Sequence, residues 1–158
     1  MKIGIVWLSY TGNTESIANQ LKEKLRPDHE VKLMKLETIP NDPEAQTFTL
    51  KEVPVIDEFD ALIIGCPVHG FSPAKGMKLW LDAVPALKSK RVIGYVTQYF
   101  PFAWMGGTGT LNNLRKYVEA KQGQWIHGFT INWHRKNQPE QVARLLNQIK
   151  IDIEKLDK

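Results

Sequence analysis

The chain has 158 residues, 42% hydrophobic and 24% charged, the size and make-up of one globular domain with its own core. No run approaches the roughly 18 consecutive apolar residues of a membrane span, and Met1-Lys2-Ile3 passes directly into an apolar run without a cleavable leader, so a single cytoplasmic domain over 1–158 is expected. The net charge of +4 is uneven, with 7 Lys+Arg against 11 Asp+Glu through residue 60 and 14 against 6 beyond it, but the cations form no continuous run and accompany no nucleic-acid module, which argues against a nucleic-acid partner.

Apolar strand-like runs alternate with helix-like runs from end to end, as in a parallel sheet with helices on both faces. A first strand is expected over residues 2–8. It leads into Ser9-Tyr10-Thr11-Gly12-Asn13-Thr14, and then into a helix over 14–25 whose Ile17, Ala18, Leu21 and Leu25 fall on one face. Hydroxyl and amide side chains packed into six residues at a helix N-terminus can converge with free backbone N–H groups on an anion. The same residues also suit a capped turn, with Gly12 taking a strained backbone and nothing bound.

A second strand is expected over 31–35, after a turn in which His29 reads as a surface residue. Residues 37–59 carry prolines at 40, 43 and 54 and read as a short helix or an irregular crossover. The third strand, over 61–66, ends at Cys66, the one cysteine, which reads as a small buried core residue and has no internal disulfide partner. Pro67-Val68-His69-Gly70-Phe71-Ser72-Pro73 follows as a loop, then a helix over 75–83 and a fourth strand over 92–97.

The next segment, from Gln98 through Tyr99, Phe100, Pro101, Phe102, Ala103, Trp104 and Met105 to Gly106 and Gly107, holds four aromatics within six residues. Such a cluster suits a lid over a ligand or a homodimer contact through residues 99–105. Gly107-Thr108-Gly109 reads as a turn. A helix over 111–120, a fifth strand over 125–131 and an amphipathic helix over 139–156 complete the chain. Trp7, Trp80, Trp125 and Trp133 read as core or sheet-covering residues. His127 and His134 have no second ligand at metal spacing, so no metal site is expected.

The Ser9–Thr14 pattern resembles the Ser/Thr-x-Thr-Gly-x-Thr phosphate loop of flavodoxins and flavodoxin-like proteins, to the short-chain type of which the whole chain is similar. Two glycine motifs of nucleotide binding, Gly-x4-Gly-Lys-Ser/Thr and Gly-x-Gly-x-x-Gly, are missing after the first strand. The carboxylates of a phosphoacceptor domain are missing from the ends of the first and third strands. The resemblance implies a doubly wound α/β fold, a five-stranded parallel sheet in the order 2-1-3-4-5, and FMN at the switch point. It implies cofactor contacts from Ser9, Tyr10, Thr11, Gly12, Asn13 and Thr14, from Pro67, Val68, His69, Gly70 and Phe71, and from Gln98, Tyr99, Phe100, Gly106 and Gly107. His69 stands where the family usually has an aromatic, and a pI of about 9.1 departs from the acidic character of typical flavodoxins.

Electron transfer through bound FMN, with a redox partner protein and no catalytic side chain, is the leading functional expectation from this resemblance. An NAD(P)H-dependent flavin or quinone reductase is the alternative, with Lys75, Lys78, Arg135 or Lys136 available to a nucleotide phosphate. A flavin-free binding or regulatory module is the third. Residues 61–81 and 91–118 contain no carboxylate, from which little repulsion of a reduced, anionic flavin is expected.

Overall fold

The computed structural model describes residues 1–100 and 102–158. Pro101, inside the aromatic segment 99–105, lies outside the described residues. The long strands are β1 (Lys2–Trp7), β2 (Glu30–Lys35), β5 (Ala61–His69), β7 (Arg91–Gln98) and β8 (Gln124–Asn132), and the short ones β3 (Thr38–Ile39), β4 (Thr49–Leu50) and β6 (Ser72–Pro73). The helices are α1 (Asn13–Leu25), α2 (Lys75–Ala83), α3 (Gly107–Ala120) and α4 (Gln138–Leu156).

The main sheet runs β2-β1-β5-β7-β8 with every pair parallel, and β6 folds back antiparallel on β5. Parallel strands covered on both faces must be apolar nearly throughout, and β1 and β7 are buried from their second residue onward. One face is closed by Met77, Trp80, Leu114 and Val118 of α2 and α3, the other by Ile17, Leu21, Leu145 and Ile149 of α1 and α4. Trp7 and Trp80 are core residues, while Trp125 and Trp133 cover its edges.

Four local expectations change. The region 37–59 is neither helix nor wholly irregular: β3 and β4 pair antiparallel, Thr38 with Leu50 and Ile39 with Thr49. The 67–73 segment is not a loop, because β5 continues to His69 and turns into β6 through Gly70 and Phe71 alone. Both turn residues have positive φ, 57° and 62°, the backbone that a two-residue hairpin needs to match the strand twist. Gly107-Thr108-Gly109 is the first turn of α3, not a separate turn. His29 is not a surface side chain: it is 4% exposed, tucked beside Asp157 at the end of α4.

Candidate functional site

The carboxyl ends of β1, β5 and β7 bring three chain segments together. The first is the β1–α1 turn. Gly12 sits at φ 92°, a left-handed conformation that a side chain would strain, and its N–H donates to Ser9 Oγ at 3.0 Å. No side chain caps α1, so the first-turn N–H groups keep their donor capacity and the positive end of the helix dipole.

A buried linkage fixes this turn to the sheet. Tyr95 of β7 lies across Gly65 of β5, where any β-carbon would collide with its ring, and its hydroxyl donates to the Thr14 carbonyl at 2.9 Å. Thr14 Oγ1 and Thr97 Oγ1 are 3.0 Å apart in the same buried region. The Thr14 hydroxyl therefore faces the sheet, while Thr11 and Asn13 face the cavity. Burial holds the Tyr95 phenol well above its ordinary pKa. Burial likewise pushes the Cys66 thiol up to about 12, so the cysteine is an unreactive core residue.

The second segment is the β5–β6 hairpin. Its tip residue Phe71 stacks on Phe100, with ring centroids 5.2 Å apart and planes at 11°. Phe71 holds this position in a backbone conformation rare for a bulky residue, a cost accepted at positions fixed by their surroundings. Gly106 packs against Val68 and Phe71, where a β-carbon would come within 3.0 Å and 3.3 Å of their side chains.

The third segment follows β7. Gln98 is almost fully buried, and its Nε2 lies 2.7 Å from the Phe102 carbonyl, 2.6 Å from Asn132 Oδ1 and 3.2 Å from the Phe100 carbonyl. Gly107 leaves room for this fan: a β-carbon there would press on Gln98 Oε1 and Thr130. One amide thus fastens the aromatic loop to both β7 and β8.

Between the three segments lies a cavity of about 260 Å³, lined by Tyr10, Thr11, Asn13, Pro67, Val68, His69, Gln98, Tyr99 and Phe100 from the expected set, joined by Pro43, Glu44 and Thr97. Ser9, Gly12, Thr14, Gly70, Phe71, Gly106 and Gly107 do not line it; they hold the turn, the hairpin tip and the start of α3 in place. Larger hollows lie elsewhere, one of about 570 Å³ along β2 and the 51–58 segment and one of about 540 Å³ between β8 and α4, away from the strand ends where the polar and aromatic segments converge. The cavity is slightly smaller than the ~300 Å³ at which pockets begin to enclose a drug-sized ligand, so a larger planar ligand would leave one edge in solvent.

Sequence reasoning missed Pro43 and Glu44. They come from the turn between β3 and β4, and only the pairing of Thr38–Ile39 with Thr49–Leu50 brings them to the cavity. Glu44 Oε1 stands 3.1 Å from His69 Nε2, although the glutamate is 82% exposed. Residues 61–81 and 91–118 bring no carboxylate to the cavity, as their sequence requires, but the crossover supplies one. Tyr10, half-buried beside the crossover, has its phenol pKa raised chiefly by burial, against the lowering effect of the neighbouring Thr38 side chain, with the negative charge of Asp42 adding to the rise. Asn13 Nδ2 reaches the Tyr99 hydroxyl at 3.4 Å, linking the polar turn to the aromatic loop across the opening.

Among the described residues, no group of three or more His, Cys, Asp or Glu side chains could hold a metal ion, and no helix is long and apolar enough to cross a membrane. No family model and no curated protein matches the sequence. Solved structures match the fold. Oxidised Flavodoxin 1 from Bacillus cereus superimposes with a TM-score of 0.71 at 16% identity, covering 98% of both chains. The Fusobacterium nucleatum flavodoxin bound to flavin mononucleotide gives 0.65 at 15% identity over 96% of this chain and 98% of that one. A flavoprotein in complex with FMN from Lactobacillus acidophilus NCFM gives 0.60 at 17% identity over 82% and 92%. The fold is flavodoxin-like.

Proposed function

We propose that this chain binds FMN in the cavity between Thr11, His69 and Tyr99 and serves as an electron-transfer protein. The observation that carries the reading is the convergence, at the ends of β1, β5 and β7, of a hydroxyl- and amide-rich helix N-terminus with an aromatic-walled slot. With the two-residue strands set aside, we read the sheet order β2-β1-β5-β7-β8 as the doubly wound 2-1-3-4-5, whose ligands lie beside the switch point at β1.

The donor set fits the cofactor. Thr11, Asn13 and the first-turn N–H groups of α1 would hold the phosphate, each dipole contact supplying about 0.3–1 kcal/mol. His69 would border the ring system from one side and Tyr99 and Phe100 from the other. FMN, when bound, supplies the redox chemistry, and the protein binds, orients and tunes it. Val68 and Phe100 would keep water from part of the ring. Glu44, standing against His69, would place negative charge near the ring and oppose gain of charge there, by an amount that solvent screening keeps small.

The carrier reading is favoured over an NAD(P)H-dependent reductase because Lys78, one of the four cations suited to a nucleotide phosphate, is paired with Asp82 at 2.9 Å. The test is to purify the protein, add FMN, desalt, and record the visible spectrum, then assay NADPH oxidation with a quinone acceptor. Retained flavin absorbance without turnover is expected. A colourless protein would overturn FMN binding and leave the flavin-free module; sustained turnover would replace the carrier with the reductase.

A further inference from the structure

Around the cavity mouth the aromatic side chains stay in solvent. Trp104 is 75% exposed, and Tyr99, Phe100, Phe102 and Phe71 are exposed as well. They stand in two stacked pairs: Phe71 stacks on Phe100, Phe102 lies 6.0 Å from Trp104 with planes at 8°, and the Arg135 guanidinium covers the Phe102 ring. Contiguous exposed apolar groups of this kind are rare on soluble proteins except at binding surfaces, and aromatic residues with arginine are the usual anchors of protein interfaces.

The segments that carry this platform bring charge of one sign. These segments, 61–81, 91–118 and 120–139, contain no Asp or Glu. Arg135 and Lys136 follow β8, Lys75 begins α2 just beyond the hairpin, and all three are exposed. Carboxylates lie on the crossover side of the cavity, Glu44 on its wall and Asp42 near Tyr10. Two copies meeting through this patch about a two-fold axis would set like charges face to face, which disfavours self-association here.

We infer that the Phe71–Phe100–Phe102–Trp104 platform with Arg135 docks an acidic redox protein, its apolar centre seated on Trp104 and its carboxylates on the basic rim. The redox character of the partner rests on the FMN reading; the docking does not. Complementary charge would speed encounter and fix orientation, and the aromatic centre would supply contact area.

The experiment titrates fluorescently labelled, plant-type [2Fe–2S] ferredoxin, which is acidic, with this protein at low ionic strength and follows anisotropy; basic cytochrome c is the counter-probe. Saturable micromolar binding of ferredoxin is expected, with Trp104→Ala and Arg135→Gln each weakening it at least tenfold. Lys24→Gln, which removes the same charge from the far end of α1, is expected to change it less than twofold. High salt is expected to erase the difference between Arg135→Gln and the unaltered protein. Equal weakening by Lys24→Gln and Arg135→Gln, unchanged binding by Trp104→Ala, no ferredoxin binding, or equally tight cytochrome c binding would each overturn the inference. So would a concentration-dependent dimer abolished by Trp104→Ala. FMN retention is read separately from absorbance, so a failed cofactor assignment is distinguished from failed docking.

Discussion

On one side of the cavity the chain presents hydroxyls, an amide and the Glu44 carboxylate; on the other it presents a proline, a valine and a run of aromatic rings with no carboxylate in the supporting segments. The polar side is shaped by local backbone, Gly12 in its left-handed turn and α1 starting directly after it. The aromatic side is shaped by distant contacts: Phe71 on Phe100, Gly106 against Val68, Gln98 reaching Asn132. The first wall is suited to recognise charge through directed donors and the second to recognise a planar surface through area.

The largest effect should come from removing the fastening of the aromatic wall. Gln98→Ala leaves two loop carbonyls and the Asn132 side chain, all part-buried, without their donor. An unsatisfied group costs roughly 1–3 kcal/mol when buried and less when water can reach it, so urea unfolding should show a loss of about 3 kcal/mol from the three together. On the polar wall, Thr11→Val keeps the shape and removes a donor aimed at the cavity. It should weaken FMN binding by about tenfold or more, the scale of a hydrogen bond to a charged group, with the urea midpoint unchanged. Thr14→Val should do the reverse, lowering stability by about 1–2 kcal/mol because Thr97 loses its buried partner, with a smaller change in FMN affinity than Thr11→Val. Equal effects of the two threonines on both measurements would erase the division of labour within the polar wall.

Glu44→Gln should shift the FMN midpoint potential upward by a modest amount, since the carboxylate is exposed and screened; no shift would remove Glu44 from the site. The smallest effect at neutral pH comes from the groups beneath both walls. Tyr10, Tyr95 and Cys66 have pKa values raised by burial, so the folded state binds protons that the unfolded state has released. Their contribution is fully present below the unfolded values and is lost as pH rises from about 9 toward about 12 for Cys66, so urea midpoints should hold between pH 6 and 8 and fall above that window.

The polar wall was legible in the sequence because its conformation is set within six residues, and the strands were legible because burial on both faces demands continuous apolar runs such as 61–66. Glu44 was not legible. Its place depends on the ribbon that pairs Thr38 with Leu50 and Ile39 with Thr49, which has no hairpin signature and is two residues long on each side. His29 was misjudged because a polar residue in a turn between charged neighbours gives no sign that the end of α4 will cover it. The hairpin at Gly70–Phe71 was hidden by Phe71, since sequence patterns for such turns favour Asn or Gly where this chain has a ring used elsewhere.

By tying the Phe100 and Phe102 carbonyls and the neighbouring strand to a single buried anchor, the amide of Gln98 sets the position of both residues before anything arrives. Association then forfeits little conformational freedom, because the entropy of ordering them was surrendered when the chain folded. A rigid template of this kind permits contacts that form quickly and dissolve quickly, as repeated short encounters require.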